Sequence, residues 1–391
     1  MKLPVYLDHS ATTPMDPKVL EAMLPYFLEN FGNASSRSHV YGWTAEEAVD
    51  IAREQVADLI GAHATEIVFT SGATEAVNLA IKGTFENYAE KGNHIITCVT
   101  EHRAVLDCCE WIERNGGKVT YLPVDEAGLI DLDALENAVT AETILISILY
   151  ANNEIGVIQP VVDISQIARK HNVLFFTDAT QAAGKVPIDV EEDGIDILSL
   201  SAHKLYGPKG IGALYVRRKN PKVSISSQIH GGGHEKNMRS GTLNVPGIVG
   251  FGKACELCLE NLSQENEALT KLRDQLEREL LKIDGTKING SIKNRLPHIT
   301  NIAFEKVNGD NLLLEICKEV AVSRGSACSS VTSKPSHVLN AMKISDELAL
   351  SSFRFSLGRF TTLSEIEYSY STLSEIVEKH RNIVKLSVVK I

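Results

Sequence analysis

Nowhere in these 391 residues do eighteen apolar residues run together, and the opening "MKLPVYLDHS" breaks any apolar stretch with Pro4 and Asp8. A membrane-spanning helix and a signal peptide both need such a run, so the chain reads as soluble and cytoplasmic. Basic charge is also short: 39 Lys and Arg stand against 50 Asp and Glu, a formal net charge of -11. That balance argues against a general nucleic-acid or anionic-membrane surface and leaves small-molecule chemistry as the better expectation. Proline-rich linkers, low-complexity tracts and internal repeats are missing too. What is present is a 43% hydrophobic composition, enough to fill a large α/β core and a smaller one.

Cysteine is sparse and odd in number, at seven. Without an export signal, a disulfide framework is not expected and the thiols should be reduced. Cys98 ends the apolar run "HIITC". Cys108, Cys109 and Cys317 sit in helix-like apolar patterns, where cysteine is usually a small buried hydrophobe. Cys255 and Cys258 form a C-x-x-C, but inside one continuous helical pattern and with no second pair or histidines to complete a metal site. Cys328 differs from all of these. It lies in "SRGSACSSVT", a small-residue stretch that offers a thiol exposure and a flexible backbone.

From residue 44 the signals alternate. "TAEEAVDIAREQVADLIG" reads as a helix, with a capping box at Thr44 and Glu47 and Gly61 at its end. Seven β-rich runs then follow, "EIVFT", "HIITC", "KVTYLPV", "TILISILYA", "VLFFTDA", "DILSLS" and "IGALYVR", separated mainly by helical patterns. That rhythm predicts a mostly parallel sheet with helices on both faces, whose ligands gather at the carboxyl ends of the strands. After about residue 262 the rhythm changes to a long charged helix and fewer strands, which reads as a smaller α+β domain. A cleft between the two parts is expected.

Three strand ends carry chemistry. "EIVFTSGATEAVNLAIKG" leads through Ser71, Gly72, Ala73 and Thr74 into a helix, offering either an anion site or a plain helix cap. "VLFFTDATQ" places Asp178 straight after an apolar strand, where a carboxylate is costly unless partnered, with Gln181 three residues on. "DILSLSAHKLYGPKG" ends a strand in Ser201, His203 and Lys204. A lysine there snorkels to solvent, or it is desolvated for work as an imine former or base, far from its free pKa of about 10.4. A phosphate cradle, a strand-end aspartate and a strand-end lysine together match what pyridoxal 5'-phosphate needs. The helix terminus holds the phosphate, the carboxylate keeps the ring nitrogen protonated, and the amine binds the aldehyde.

These segments, with "YLDHSATTP", "TEHRAVLD", "NNEIG", "HGGGHEKNMRSGTLN", "GSACSS" and "RFSLGRFTT", resemble the cysteine desulfurases along essentially the whole chain. These are pyridoxal-phosphate enzymes of aminotransferase class V, and the likeness is to the type that serves iron-sulfur cluster assembly. The resemblance implies fold type I. A large three-layer α/β domain would span 15-262, and a smaller α+β domain, made of 1-14 and 263-391, would carry the catalytic cysteine loop. It implies that Lys204 binds the cofactor aldehyde and is the base for the substrate α-proton, that Asp178 pairs with the ring nitrogen, and that Gln181 contacts the ring hydroxyl. His102 would stack on the ring and assist proton transfer. Ala73, Thr74, Ser201 and His203 would surround the phosphate, joined by Thr242 of the partner subunit in a homodimer. Asn153 would contact cofactor and substrate, and Arg354 would hold the substrate carboxylate.

Cys328 would take sulfur from L-cysteine, leaving L-alanine and an enzyme persulfide for an iron-sulfur scaffold protein, tRNA thiolation or other acceptors. A thiol is only a few per cent ionised at neutral pH, so His102 or nearby positive charge must assist it. Arg324 stands four residues before Cys328, where the resemblance implies a small residue; it either favours the thiolate or is a solvated strand residue. The chain ends at "KLSVVKI", short of the longer tail with which relatives dock the scaffold. Selenocysteine lyase and aminotransferase are the rival activities on this scaffold, although an aminotransferase has no need for Cys328. A sulfur-relay docking protein is the rival from another class.

Overall fold

The computed structural model describes residues 2-324 and 334-388; Cys328 lies outside the described residues. Among those described, the strands are β1 (Val5–Tyr6), β2 (Ile67–Thr70), β3 (His94–Cys98), β4 (Lys118–Leu122), β5 (Thr143–Ser147), β6 (Leu174–Asp178), β7 (Ile197–Ser201), β8 (Gly212–Val216), β9 (Thr286–Ile288), β10 (Ile299–Phe304), β11 (Val320–Ala321) and β12 (Ser352–Ser356). The seven apolar runs read from the sequence become one seven-stranded sheet, in the order β2-β8-β7-β6-β5-β3-β4. Strand β8 runs antiparallel to β2 and β7; the remaining pairs are parallel. Every residue of β2, β3, β5, β6, β7 and β8 is buried, as a sheet covered on both faces requires, while edge strand β4 is partly exposed.

Alternation along each strand divides the core in two. Ile67 and Phe69 of β2 join one cluster with Leu198 and Leu200 of β7, whereas Val68 and Ile197 face the other side. Each such side chain contributes about 1.5–3 kcal/mol by burial. A third cluster, with Ile302, Phe304, Phe353 and Phe355, fills the space behind the antiparallel sheet β12-β10-β9. The helix Val245–Leu280 serves two of these cores: Phe251, Cys255 and Cys258 pack on the large sheet, Leu269, Leu276 and Leu280 on the small one.

Three local expectations are corrected. The change of rhythm near residue 262 does not start a new helix, because Val245–Leu280 runs through it unbroken. The first long helix is Val40–Asp58 and starts before Thr44: the His39 ring accepts the Gly42 N–H, so the cap is supplied upstream and Thr44 lies inside. Its end does rest on Gly61, whose φ of 64° suits glycine and where a Cβ would meet the Asp189 carboxylate at 2.8 Å. Cys317 is exposed rather than buried. It follows the helix Gly309–Ile316 as its C-cap, turned away from the buried stripe of Leu312 and Ile316, and its thiol donates to the Leu314 carbonyl at 3.4 Å. Cys98, Cys108, Cys109, Cys255 and Cys258 are buried as expected, and burial raises the pKa of all five thiols.

Candidate active site

A cavity of about 500 Å³ opens at the carboxyl ends of the parallel strands. Its floor begins at Gly72, the N-cap of the helix Ala73–Asn87, which has no side-chain cap. The plain-cap alternative therefore has no capping side chain among the described residues. The first-turn N–H groups of Ala73 and Thr74 stay available, and at Gly72, with φ 152°, a Cβ would meet nothing within 4 Å. Glu75 steadies the turn by accepting from Ser71 N–H at 2.7 Å and from Arg239 Nε at 2.8 Å. Burial raises its pKa, but the Arg239 and Ser71 hydrogen bonds outweigh burial and hold the carboxyl below its usual range.

Asp178 closes β6 and is fixed through one oxygen. Its Oδ1 accepts from Thr180 N–H at 3.0 Å, Thr180 Oγ1 at 2.5 Å and Ser199 Oγ at 2.8 Å. The short helical turn Ala202–Lys204 follows β7 and aims two groups at the cavity. Lys204 Nζ donates to the main-chain carbonyls of Ser10 and of Ala11, the latter at 2.8 Å, so it does not snorkel to solvent. The His203 ring pairs Nδ1 with Thr12 Oγ1 at 3.1 Å. Burial and the Lys204 and Lys209 ammoniums push its pKa down to about 4, so it is neutral at pH 7.

His102 caps the helix Arg103–Arg114, its Nδ1 accepting the Ala104 N–H at 3.1 Å. That bond places the proton of the neutral ring on Nε2. Gln181 Nε2 donates to the Ser10 carbonyl at 3.0 Å. Arg354, 1% exposed on β12, donates to the Asn153 carbonyl at 2.9 Å and pairs with Asp8 at 2.6 Å. Its Nε is buried without a partner among the described residues.

Ala73, Thr74, His102, Asn153, Asp178, Gln181, Ser201, His203, Lys204 and Arg354 therefore line one cavity. Thr242 does not; it is exposed, outside the cavity of its own chain. Arg324 is neither a free cation nor simply solvated, because its guanidinium pairs with Asp310 at 2.6 Å and donates to the Leu350 carbonyl at 3.3 Å. The wall Ser10–Thr12, which receives Lys204, His203 and Gln181, was not singled out from the sequence. Its only signal is the cluster of small hydroxyl residues in "YLDHSATTP".

These residues suit a phosphorylated aromatic aldehyde. The side chains of Thr74, Ser201 and Asn153 make no hydrogen bond among the described residues, although all three line the cavity. They stand beside the open helix terminus, a primary amine and a strand-end carboxylate. Fold and cavity together define a pyridoxal-phosphate enzyme of fold type I.

The aminotransferase class-V family profile matches residues 5-368. A protein of Anaeromyxobacter sp. named cysteine desulfurase IscS is 54% identical over 387 residues, covering 99% of this chain and 95% of that protein. One of the same name from Mannheimia succiniciproducens is 54% identical over 388 residues, 99% of this chain and 96% of its own. Among solved structures, a NifS-like protein superposes with TM-score 0.90 at 38% identity, covering 96% of this chain and all of its own. Another, described as SspA in complex with cysteine, gives TM-score 0.80 at 39% identity over 92% of this chain and 100% of that one. The chain belongs to the cysteine desulfurases of the aminotransferase class-V family, with pyridoxal 5'-phosphate as its cofactor.

Proposed function

We propose that this cysteine desulfurase moves sulfur through the residues gathered in the cavity and through Cys328. The observation that carries the reading is the convergence of Lys204, Asp178 and the open helix terminus at Gly72 on one cavity that Arg354 also lines. Pyridoxal phosphate, when bound, supplies an aldehyde that binds amines and a ring that accepts electrons. Thr74, Ser201, His203 and the N–H groups at Ala73 would bind its phosphate, Gln181 its hydroxyl and Asp178 its ring nitrogen. Arg354 and Asn153 orient the carboxylate of L-cysteine. Lys204 Nζ takes the proton from the substrate α-carbon, and His102, which would stack on the ring, offers its Nε2–H towards the reacting groups. Cys328 Sγ then bonds to the substrate sulfur as the carbon-sulfur bond breaks. One cysteine and one enzyme thiol become one alanine and one persulfide, with no external oxidant.

The division into a large domain at 15-262 and a small one at 1-14 and 263-391 is part of the same reading, with Arg354 contributed by the small part. So is a homodimer. Between residues 27 and 43 the large apolar side chains of Phe27, Leu28, Phe31, Val40, Tyr41 and Trp43 are exposed, a feature that marks interaction surfaces. The segment leading to exposed Thr242 is pinned by Glu235, which takes two 2.7 Å bonds from Arg53, and by the Arg239–Glu75 pair. Thr242 would complete the phosphate site of the partner subunit. Reduced, unpaired thiols fit the cytoplasm, and the acceptor would be an iron-sulfur scaffold protein or another sulfur-receiving protein.

The test is chemical. Borohydride should fix the yellow cofactor on Lys204, and mixed Lys204→Ala and Thr242→Ala chains should regain sites by subunit exchange. A protein that stays colourless with pyridoxal phosphate, or a fully active monomer, would overturn the corresponding part. A keto acid in place of alanine would point to the aminotransferase reading.

A further inference from the structure

Residues 325-333 include Cys328, and the residues on either side are tied down in different ways. On the leading side, Ser323 and Arg354 exchange two main-chain bonds, at 3.3 and 2.7 Å. On the trailing side the ties are made by side chains. Ser336 Oγ donates to Glu154 Oε2 at 2.5 Å, and His337 Nε2 donates to the Glu101 carbonyl at 3.1 Å. Glu154 directly follows Asn153, and Glu101 directly precedes His102. Both partners are rigid. Glu154 is 1% exposed, with its N–H on Asn152 Oδ1 at 2.8 Å; Glu101 is 1% exposed, with Oε1 accepting the Leu149 N–H at 2.6 Å.

Arg324 adds side-chain ties on the leading side, to Asp310 at 2.6 Å and the Leu350 carbonyl at 3.3 Å, but neither partner lines the cavity; the trailing-side side chains reach residues next to Asn153 and His102, which do. Ser336 also caps the helix His337–Ala341, accepting from Val338 and Leu339 N–H at 3.1 and 3.3 Å. Capping uses its oxygen as an acceptor alone. The bond donated to Glu154 is additional and joins this flank to the neighbour of Asn153.

We propose that Ser336 and His337 are positioning residues for sulfur transfer to Cys328, holding the chain at 336-337 against the neighbours of Asn153 and His102 through Glu154 and the Glu101 carbonyl. The inference rests on Cys328 being the sulfur acceptor. Asparagine and aspartate cap helices about equally and have nearly the same shape, but only asparagine donates to Glu154. In the holoenzyme, Ser336→Asp should therefore slow Cys328 persulfide formation in a single turnover by roughly tenfold, the size of one hydrogen bond to a carboxyl group. Ser336→Asn should stay within about twofold of the parent, because its amide restores the donated bond. His337→Phe should slow the same step. In all three, the absorbance change on adding cysteine should keep its concentration dependence, since substrate binding is not touched. Parent-like persulfide formation in Ser336→Asp, equal losses in the Asp and Asn variants, or a parallel loss of cysteine binding would overturn the inference. If the parent enzyme itself places its persulfide on another cysteine, the reading of Cys328 fails instead, and the two failures are told apart by peptide mass.

Discussion

Around Asp178, Ser201 and Lys204 the cavity is built from neighbouring strand ends of one sheet, whereas Arg354, Asn153 and Asp8 come from three separate parts of the chain. At the first end, local geometry does the positioning: a turn returns Thr180 to Asp178, Ser199 reaches across from β7, and a helix begins without a side-chain cap. At the second end a nearly buried guanidinium is held between a main-chain carbonyl and one carboxylate. In the proposed mechanism Lys204 and Asp178 serve the chemistry and Arg354 holds the substrate carboxylate. Substitutions at the two ends should fail in different ways.

The largest effect belongs to the first end. Lys204→Ala should cut alanine production by about 10²–10⁴-fold or more, the usual contribution of a positioned base, while the fold persists. Far-ultraviolet circular dichroism together with a turnover assay checks both halves of that statement. At the second end, Arg354→Ala leaves Asp8 without its charge partner and should cost about 3–5 kcal/mol in denaturant unfolding, together with a raised KM for cysteine. Arg354→Lys should restore charge but not the two-pronged grip, so it should recover stability better than KM. If Arg354→Ala lowered kcat alone, the contrast between the ends would collapse.

Acid should act on both ends. Burial pushes His9 down to about 4, burial with Lys204 and Lys209 does the same to His203, and burial drives His298 well below its usual value. Each histidine binds its proton in the unfolded chain near pH 6.5, whereas in the folded chain His9 and His203 bind it only near pH 4 and His298 only well below its usual range. The unfolded state therefore binds more protons in that window, and stability should be complete above pH 6.5 and fall progressively towards pH 4. Urea midpoints at pH 7, 6 and 5 would show a monotonic decline; a flat profile would contradict the buried neutral histidines. The smallest effects belong to the other thiols. Cys258→Ala should cost about 0.5–3 kcal/mol through repacking, and exposed Cys317→Ala should stay within about 0.5 kcal/mol, neither altering turnover.

The first end was legible because strand period, helix start and strand-end chemistry all lie within short stretches, so Gly72, Asp178 and Lys204 announced themselves. The role of Ser10–Thr12 was not legible, since it consists mainly of carbonyl oxygens that any residue carries. The pairing of Arg354 with Asp8 spans most of the chain and leaves no local signal. His39 took the cap expected at Thr44 because a ring nitrogen upstream reached the helix first, and Cys317 fell one step beyond its helix's buried stripe. Sequence pattern fixes which face a residue belongs to, but not which long-range partner closes the site.

In the proposed reaction, sulfur leaves cysteine at this cavity and lands on Cys328. The direct measurement is to react the purified holoenzyme with L-cysteine, alkylate it and locate the added sulfur by peptide mass, in parallel with Cys328→Ala. The extra sulfur should sit on the Cys328 peptide, and the variant should show an undiminished spectral change on adding cysteine without alanine release. Normal alanine production by Cys328→Ala, or the added sulfur on any other cysteine, would contradict it.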